Sequence, residues 1–419
     1  MDEDNKKRRL LLVLLFLTVV INYMDRMNIS VAAAAIREDL EISTETMGFV
    51  FSAFFIPYAL LQIPGGFIAD LVKTRILYPI ILIGWSVATV LQGFVNSASA
   101  LMGARAIIGG FEAPSYPINN KIVTDWFPKE ERASAISIYT SGQFLGLAFL
   151  TPILFTIQSQ FGWRGLMVIT GLIGIIWAVV WYLVYPKNEP QAQTATNEDL
   201  IKPTTEKRPS PAIAFIHPKL WGLYIGQFCL GTTTIFFLTW FPSYLTDYRD
   251  LTLIKSGFYA SVPFIAAFFG VLLSGFASDY MVKKGISAEF SRKAPVLLGM
   301  ALSTIIIAAN FTDNTTLIII FMAIAFFGNG LASIAWVFVS LLSPRQSVGL
   351  VGGVFNAFGA LSAVVTPIVI GYIVTEDSFA PALFYIGAAA LIGFLCYVFL
   401  IGKVEEIGTG KVSEETSIW

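Results

Sequence analysis

The chain has 419 residues, of which 56% are hydrophobic and 13% charged, with a formal net charge of −1. A soluble domain carries about 25% charged residues, and a mean hydropathy of +0.72 leaves too little polar surface to cover a single water-facing globule. Two cysteines, Cys229 and Cys396, both in apolar stretches, exclude a disulfide scaffold. The near-zero charge gives no reason to expect a nucleic-acid partner, and one histidine, His217, argues against a histidine-rich metal site.

Charge is absent from long runs of the chain: 76–104, 133–163, 165–186, 220–246, 256–278, 314–344, 346–375 and 378–402. A helix needs about 20 apolar residues to cross the hydrocarbon core of a bilayer, and each run is long enough for one crossing. The alternating polarity of a membrane barrel is missing. The basic N-terminus leads into an apolar run with no small-residue cleavage site, which reads as a first membrane helix and not a removable leader. In chain order the expected helices are 10–34, 47–69, 76–96, 99–123, 134–158, 164–185, 218–245, 256–278, 294–312, 315–343, 347–374 and 379–402. Between the sixth and seventh, the Pro-, Thr-, Gln- and charge-rich stretch 187–216 reads as a linker.

Orientation follows from the distribution of lysine and arginine. With the N-terminus in the cytoplasm, 21 of the 27 fall on the inner side, Arg345 among them. Four fall outside (Arg37, Arg164, Arg249 and Lys255), and two, Arg26 and Arg105, fall within the membrane. Both termini are therefore expected in the cytoplasm, which requires an even number of crossings.

The chain also repeats itself. Gly66-Phe-Ile-Ala-Asp70-Leu-Val-Lys73-Thr-Arg75 follows the second helix, and Gly275-Phe-Ala-Ser-Asp279-Tyr-Met-Val-Lys283-Lys284 follows the eighth, 209 residues later. A glycine lets two helices approach, the aspartate can face a neighbouring helix N-terminus, and the basic residues stay in water. The first copy resembles the loop motif G-x-L-A-D-R-x-G-R-R of the major facilitator superfamily, departing from it at Lys73, where that pattern has glycine. Two six-helix halves joined by a linker match that architecture.

Four ionisable residues lie deep in the expected helices: Asp25 and Arg26 in the first, Arg105 and Glu112 in the fourth. Each costs roughly 2.5–3.5 kcal/mol at the bilayer centre on an insertion scale, so they are expected to face one another, the bundle interior or water. Arg105 and Glu112 are seven apart and share a helix face, as do Tyr23 and Arg26 at a spacing of three. Asp25 and Arg26 point roughly 100° apart, so the first helix can offer a base to a central cavity and an acid to a neighbour. The planar fork of arginine suits a carboxylate ligand, and a buried acid suits proton coupling. The alternative is a static ion network that fixes helix packing. Tyr58, Gln143, Gln227, Ser333, Trp336 and Asn356 are further candidates inside helices, with amide, hydroxyl and aromatic groups suited to a polyhydroxylated ligand or to interhelical hydrogen bonds. His217, just before Pro218, reads as an interfacial residue.

Asn22-Tyr-Met-Asp25-Arg26, the stretch FVFSAFFIPYALLQIPGG, and Arg105-Ala-Ile-Ile-Gly-Gly-Phe-Glu112-Ala-Pro-Ser-Tyr-Pro resemble the anion:cation symporters of the major facilitator superfamily, and among them the bacterial sugar-acid carriers. TDWFPKEERASA, YTSGQFLGLAFLTP, FFLTWFPSYLT, FFGNGLASIAW and GLVGGVFNAFGAL extend the likeness over nearly the whole chain outside the linker and tail. The resemblance implies that Asp25 and Glu112 carry protons, and that Arg26 and Arg105 serve substrate binding and coupling. It implies further that Tyr58, Gln143, Gln227, Ser333, Trp336 and Asn356 contact a sugar acid, and Tyr23, which shares a face with Arg26, is a further candidate for substrate binding. Ala335 departs from the carriers' pattern, which has threonine there, so one hydroxyl contact to the substrate is expected to be missing.

The expectation is an all-α membrane protein of twelve transmembrane helices. An N-terminal bundle spans 1–185, a cytoplasmic linker 186–216, a C-terminal bundle 217–403 and a cytoplasmic tail 404–419. It is expected to be a monomeric, proton-coupled symporter of the bacterial inner membrane, importing a hexonate such as D-galactonate by alternating access, with no cofactor beyond the coupling protons and no nucleic-acid partner. Carriage of another organic anion, such as a hexuronate or glucarate, and a non-transporting sugar-acid sensor remain alternatives. A membrane-embedded enzyme is disfavoured, because no nucleophile or metal constellation accompanies the buried acids.

Overall fold

The computed structural model describes residues 2–187, 213–343, 347–405 and 407, and these are helical with no strand. Most of the expected linker and tail, together with Arg345 and the side chain of Asp70, lie outside what is described. The first half comprises α1 (Asp2–Val31), α2 (Ala33–Asp39), α3 (Thr44–Leu71), α4 (Thr74–Gln92), α5 (Ala98–Glu112), α6 (Ser115–Trp126) and α7 (Lys129–Val184). The second comprises α8 (Ile213–Ile216), α9 (Pro218–Thr239), α10 (Phe241–Asp247), α11 (Leu253–Lys283), α12 (Ala288–Ser303), α13 (Thr315–Ala332), α14 (Val337–Leu342), α15 (Val348–Ile373) and α16 (Ala380–Leu395). Side-chain oxygens of Ser43, Ser97, Ser287 and Asn314 accept backbone N–H groups at the starts of α3, α5, α12 and α13, satisfying donors that a helix N-terminus leaves unpaired.

Among the described residues, ten helical stretches are long and apolar enough to cross a membrane, including one of 51 residues, Ser134–Val184. That stretch is broken at Gly162, whose φ of 68° lies in the left-handed region that a side chain disfavours. The expected helix 99–123 is divided instead into α5 and α6, of 15 and 12 residues. The division falls at Ala113–Pro114, where proline has no N–H to continue the ladder. The expected helix 315–343 is interrupted by a 3₁₀ turn at Ser333–Trp336, the tighter winding that marks hinges within helices.

The helices of each half pack on one another, and the halves meet through α3 against α15 and α7 against α11. The junction is tightest at one end. There Ser30 Oγ donates to the Thr239 carbonyl at 2.5 Å, Ser52 Oγ donates to the Val364 carbonyl at 2.7 Å, and Arg37 Nη1 meets Asp247 Oδ2 at 3.2 Å. A Cβ on Gly48 would sit 2.5 Å from the Pro367 carbonyl oxygen, so only glycine lets α3 lie this close to α15. Towards the opposite end the halves part around a cavity, spanned by a long hydrogen bond of 3.5 Å from Asn356 Nδ2 to Gln62 Oε1.

The second copy of the repeat is tied by a side chain. Arg292 Nη1, near the start of α12, donates to Asp279 Oδ1 at 2.8 Å and to Ser278 Oγ at 3.1 Å. His217 caps α9, its ring nitrogen accepting the Lys219 N–H at 3.3 Å. Cys229 and Cys396 are buried free thiols.

Candidate substrate-binding site

A cavity of about 690 Å³ lies between the halves. The first half contributes Tyr23, Arg26, Tyr58 and Gln143 to its wall, and the second Gln227, Ser333, Trp336 and Asn356. Eight side chains expected from the sequence therefore converge from six helical stretches. The cationic group lies on one side, with the amides of Gln227 and Asn356 opposite. Trp336 is half-exposed there and meets Phe355 edge-on at 4.7 Å. Its indole face suits the carbon skeleton of a polyhydroxylated ligand.

The buried charges form two arrangements behind this wall. Arg26 Nε donates to Glu112 Oε2 at 3.0 Å, joining α1 to the C-terminal end of α5. The Arg26 guanidinium also lies 4.6 Å from the Tyr58 ring centroid, 4.9 Å from that of Tyr23 and 5.0 Å from that of Phe54. Aromatic faces favour a desolvated cation, which helps hold arginine where water is scarce. Arg26 Nη2 and Glu112 Oε1 have no hydrogen-bond partner among the described residues, so the pair keeps capacity for a ligand or a proton.

Arg105 and Asp25 lie deeper. Neither lines the cavity, although Arg105 was expected to serve substrate binding. α5 seats on α3 where a Cβ on Gly109 would fall on the Phe54 carbonyl, and Arg105 is held beside the Phe54 ring, 4.8 Å from its centroid. Its Nη1 donates to the Asp25 main-chain carbonyl at 3.4 Å. The Asp25 carboxyl is wholly buried and has no hydrogen-bond partner on either oxygen among the described residues. Its neighbours are Glu112, Trp85 and Arg105. The angular offset of adjacent helix residues thus places Arg26 on the cavity and Asp25 in the interior.

Ala335 requires a correction. It is 1% exposed, is absent from the cavity wall, and belongs to an apolar cluster with Val296, Met300 and Phe338. The 3₁₀ turn directs Ser333 and Trp336 to the cavity and turns Ala335 into the apolar cluster.

The wall also includes Gln62, Tyr116, Asn120, Thr234 and Asn329, which the sequence analysis did not single out. Helical spacing carried a signal for three of them. Gln62 is four residues after Tyr58, Thr234 seven after Gln227, and Asn329 four before Ser333, each sharing a face with a chosen residue. Asn329 is fixed on both sides: its Nδ2 donates to the Leu230 carbonyl at 2.9 Å, and its Oδ1 accepts from Thr234 Oγ1 at 3.0 Å.

A family model described as Major Facilitator Superfamily matches residues 15–287. A D-galactonate transporter of Escherichia coli is 48% identical, over 97% of this chain and 98% of its own. A probable galactarate/D-glucarate transporter of Escherichia coli is 37% identical, over 98% and 99% of the two chains. Among solved structures, a D-xylose-proton symporter superposes with a TM-score of 0.74 at 14% identity, covering 95% of this chain and 98% of the other. An inward-facing bacterial homologue of the lysosomal transporter spinster gives 0.73 at 20% identity, covering 94% and 95%; these two likenesses speak to the fold. The chain belongs to the Major Facilitator Superfamily. It is a multi-pass transporter of the bacterial inner membrane and not an enzyme.

Proposed function

We propose that this protein, a sugar-acid transporter by its relatives, imports a hexonate, D-galactonate first among them, together with protons by alternating access. The observation that carries this reading is the Arg26–Glu112 pair at 3.0 Å on the cavity wall. One guanidinium there serves two rival anions. A substrate carboxylate arriving at Arg26 adds a second negative charge beside Glu112, and like charges close together in a low-dielectric site repel strongly. A proton on Glu112 removes that repulsion and frees the guanidinium fork for the ligand. Substrate and proton thereby favour each other's binding, and by linkage the effect is reciprocal. Asp25, buried without a partner, supplies a second protonatable carboxyl, since an unpaired ionised group is costly in such a place. More than one proton per hexonate makes uptake electrogenic; one charge moved across 100 mV corresponds to about 2.3 kcal/mol.

In this reading the chain is a monomer with twelve crossings, needing no cofactor. α5 with α6 forms one crossing, and the stretches either side of Gly162 form two. Both termini lie in the cytoplasm, in keeping with the excess of lysine and arginine on that side. The tied end marked by Arg37 and Asp247 then faces outward and the cavity opens inward. The bundles, 1–185 and 217–403, rock about the central site.

The test is uptake into proteoliposomes of D-galactonate, galactarate, glucarate and hexuronates, with and without an imposed pH gradient. D-Galactonate is expected to accumulate above equilibrium only with the gradient. Equilibration without accumulation would make the protein a uniporter, and preferential accumulation of galactarate or glucarate would move the substrate assignment.

A further inference from the structure

Phe54 is wholly buried and is not part of the cavity wall, yet it touches every layer of the site. Its ring centroid lies 5.0 Å from the Arg26 guanidinium carbon and 4.8 Å from that of Arg105. It stacks on the cavity-lining Tyr58 at 5.5 Å and 20°, and meets Phe55 edge-on at 5.0 Å. Its backbone is clamped as well, because α5 approaches its carbonyl closely at Gly109.

Two like-charged groups sharing one ring repel each other through a medium of low dielectric. An aromatic face draws a cation towards it through its quadrupole, which an aliphatic side chain of similar bulk does not provide. On the cavity side stands Arg26, with Nη2 unpaired among the described residues; away from the cavity stand Arg105 and the unpartnered Asp25 carboxyl. A carboxylate ligand in the cavity therefore meets one arginine and not two.

We propose that Phe54 is the positioning residue that divides the charged cluster into a substrate-facing layer, Arg26 with Glu112, and an inner layer, Asp25 with Arg105. Its ring holds both guanidinium groups in place and keeps the ligand's carboxylate from reaching Arg105. This rests on the reading that a sugar-acid carboxylate binds Arg26 while protons load the buried acids. Without the ring, Arg105 is free to turn to the ligand or to Asp25, and substrate binding no longer reports on protonation. Coupling is lost while binding persists.

The experiment compares the parental protein with Phe54→Leu and Phe54→Tyr in proteoliposomes. It measures the KM of galactonate counterflow at equal pH, accumulation under a pH gradient, and proton entry per sugar acid by an internal pH dye. Phe54→Leu is expected to retain counterflow, with a KM moved by only about a few-fold, while accumulation falls on the order of tenfold, the scale of a lost desolvated cation–π contact. Phe54→Tyr, which keeps the ring, restores accumulation. Parental accumulation and proton entry in Phe54→Leu would overturn the proposal, as would equal losses of counterflow and accumulation in both variants. Should Phe54→Leu fail to fold, Arg26→Lys and Arg105→Lys decide the matter: only Arg26→Lys is expected to raise the counterflow KM, and equal increases would overturn the division. Absence of gradient-driven uptake by the parental protein would defeat the symport reading, while the arginine comparison would still test the division by binding alone.

Discussion

Arg26 and Glu112, 86 residues apart in the chain, meet through a single hydrogen bond of 3.0 Å with 7% and 0% of their side chains exposed. One partner lines the cavity and the other does not. The pair therefore connects a surface the ligand can reach with an interior it cannot.

Glu112→Gln keeps the size of the side chain and an oxygen for Arg26 Nε, while holding the site in a form equivalent to the protonated acid. Counterflow of galactonate is expected to persist, because exchange need not pass through a deprotonated empty carrier. Accumulation under a pH gradient is expected to collapse to equilibration. Undiminished accumulation would remove Glu112 from coupling. Glu112→Ala, by contrast, strands Arg26 and is expected to cost about 3–5 kcal/mol of stability, seen as a lower unfolding temperature in detergent.

Asp25→Asn replaces a carboxyl that has no hydrogen-bond partner among the described residues. The substitution breaks no hydrogen bond among the described side chains, so stability is expected to change little while gradient-driven uptake falls. Thermal unfolding in detergent beside transport assays separates the two. A protein that inserts poorly or unfolds early would assign Asp25 to a static ion network.

At the tied end, burial pushes the Asp247 carboxyl above the usual carboxylate range, and the Thr246 hydroxyl and Arg37 offset this only in part. Ala34, Arg37, Glu38, Gln158 and Asp247 line a second cavity of about 550 Å³ there. When the halves separate at this end, the carboxyl returns to water and to its ordinary pKa of about 3.9. The closed state thus binds the proton more tightly, so a fall in pH through the raised value favours closure, and the effect saturates below the ordinary value. Labelling of a cysteine introduced at Ala34 by an impermeant thiol reagent is expected to slow with external acid. The slowing should be weaker in Asp247→Asn, a comparison that cancels the reagent's own pH response. Equal slopes in the two backgrounds would place the dependence on another group.

Ala335→Thr adds a hydroxyl to a packed apolar cluster and not to the cavity. Overpacking of a core costs typically about 1–3 kcal/mol, so a lower unfolding temperature is expected. Competition of labelled galactonate uptake by gluconate and other epimers should be the same in both proteins. A shifted inhibition profile would return Ala335 to the specificity site.

The membrane class, the apolar stretches, the internal repeat and the four buried charges were legible in the residues alone. The reason is local: a crossing demands an unbroken apolar run, and an ionisable group inside one is too costly to be casual. Helical spacing also showed that Arg26 and Asp25 point apart, whereas the break at Ala113–Pro114 lay inside a helix expected to be continuous over 99–123. Tertiary structure decided the rest. It chose Glu112 as the partner of Arg26, set Arg105 beside Phe54 and off the cavity, and turned Ala335 into the core. It also joined Arg37 to Asp247 across the halves. Each of these depends on how one helix is rotated and seated against another from a distant part of the chain. Close backbone approaches such as that at Gly109 set those rotations, and spacing within a single helix carries no information about the partner it meets.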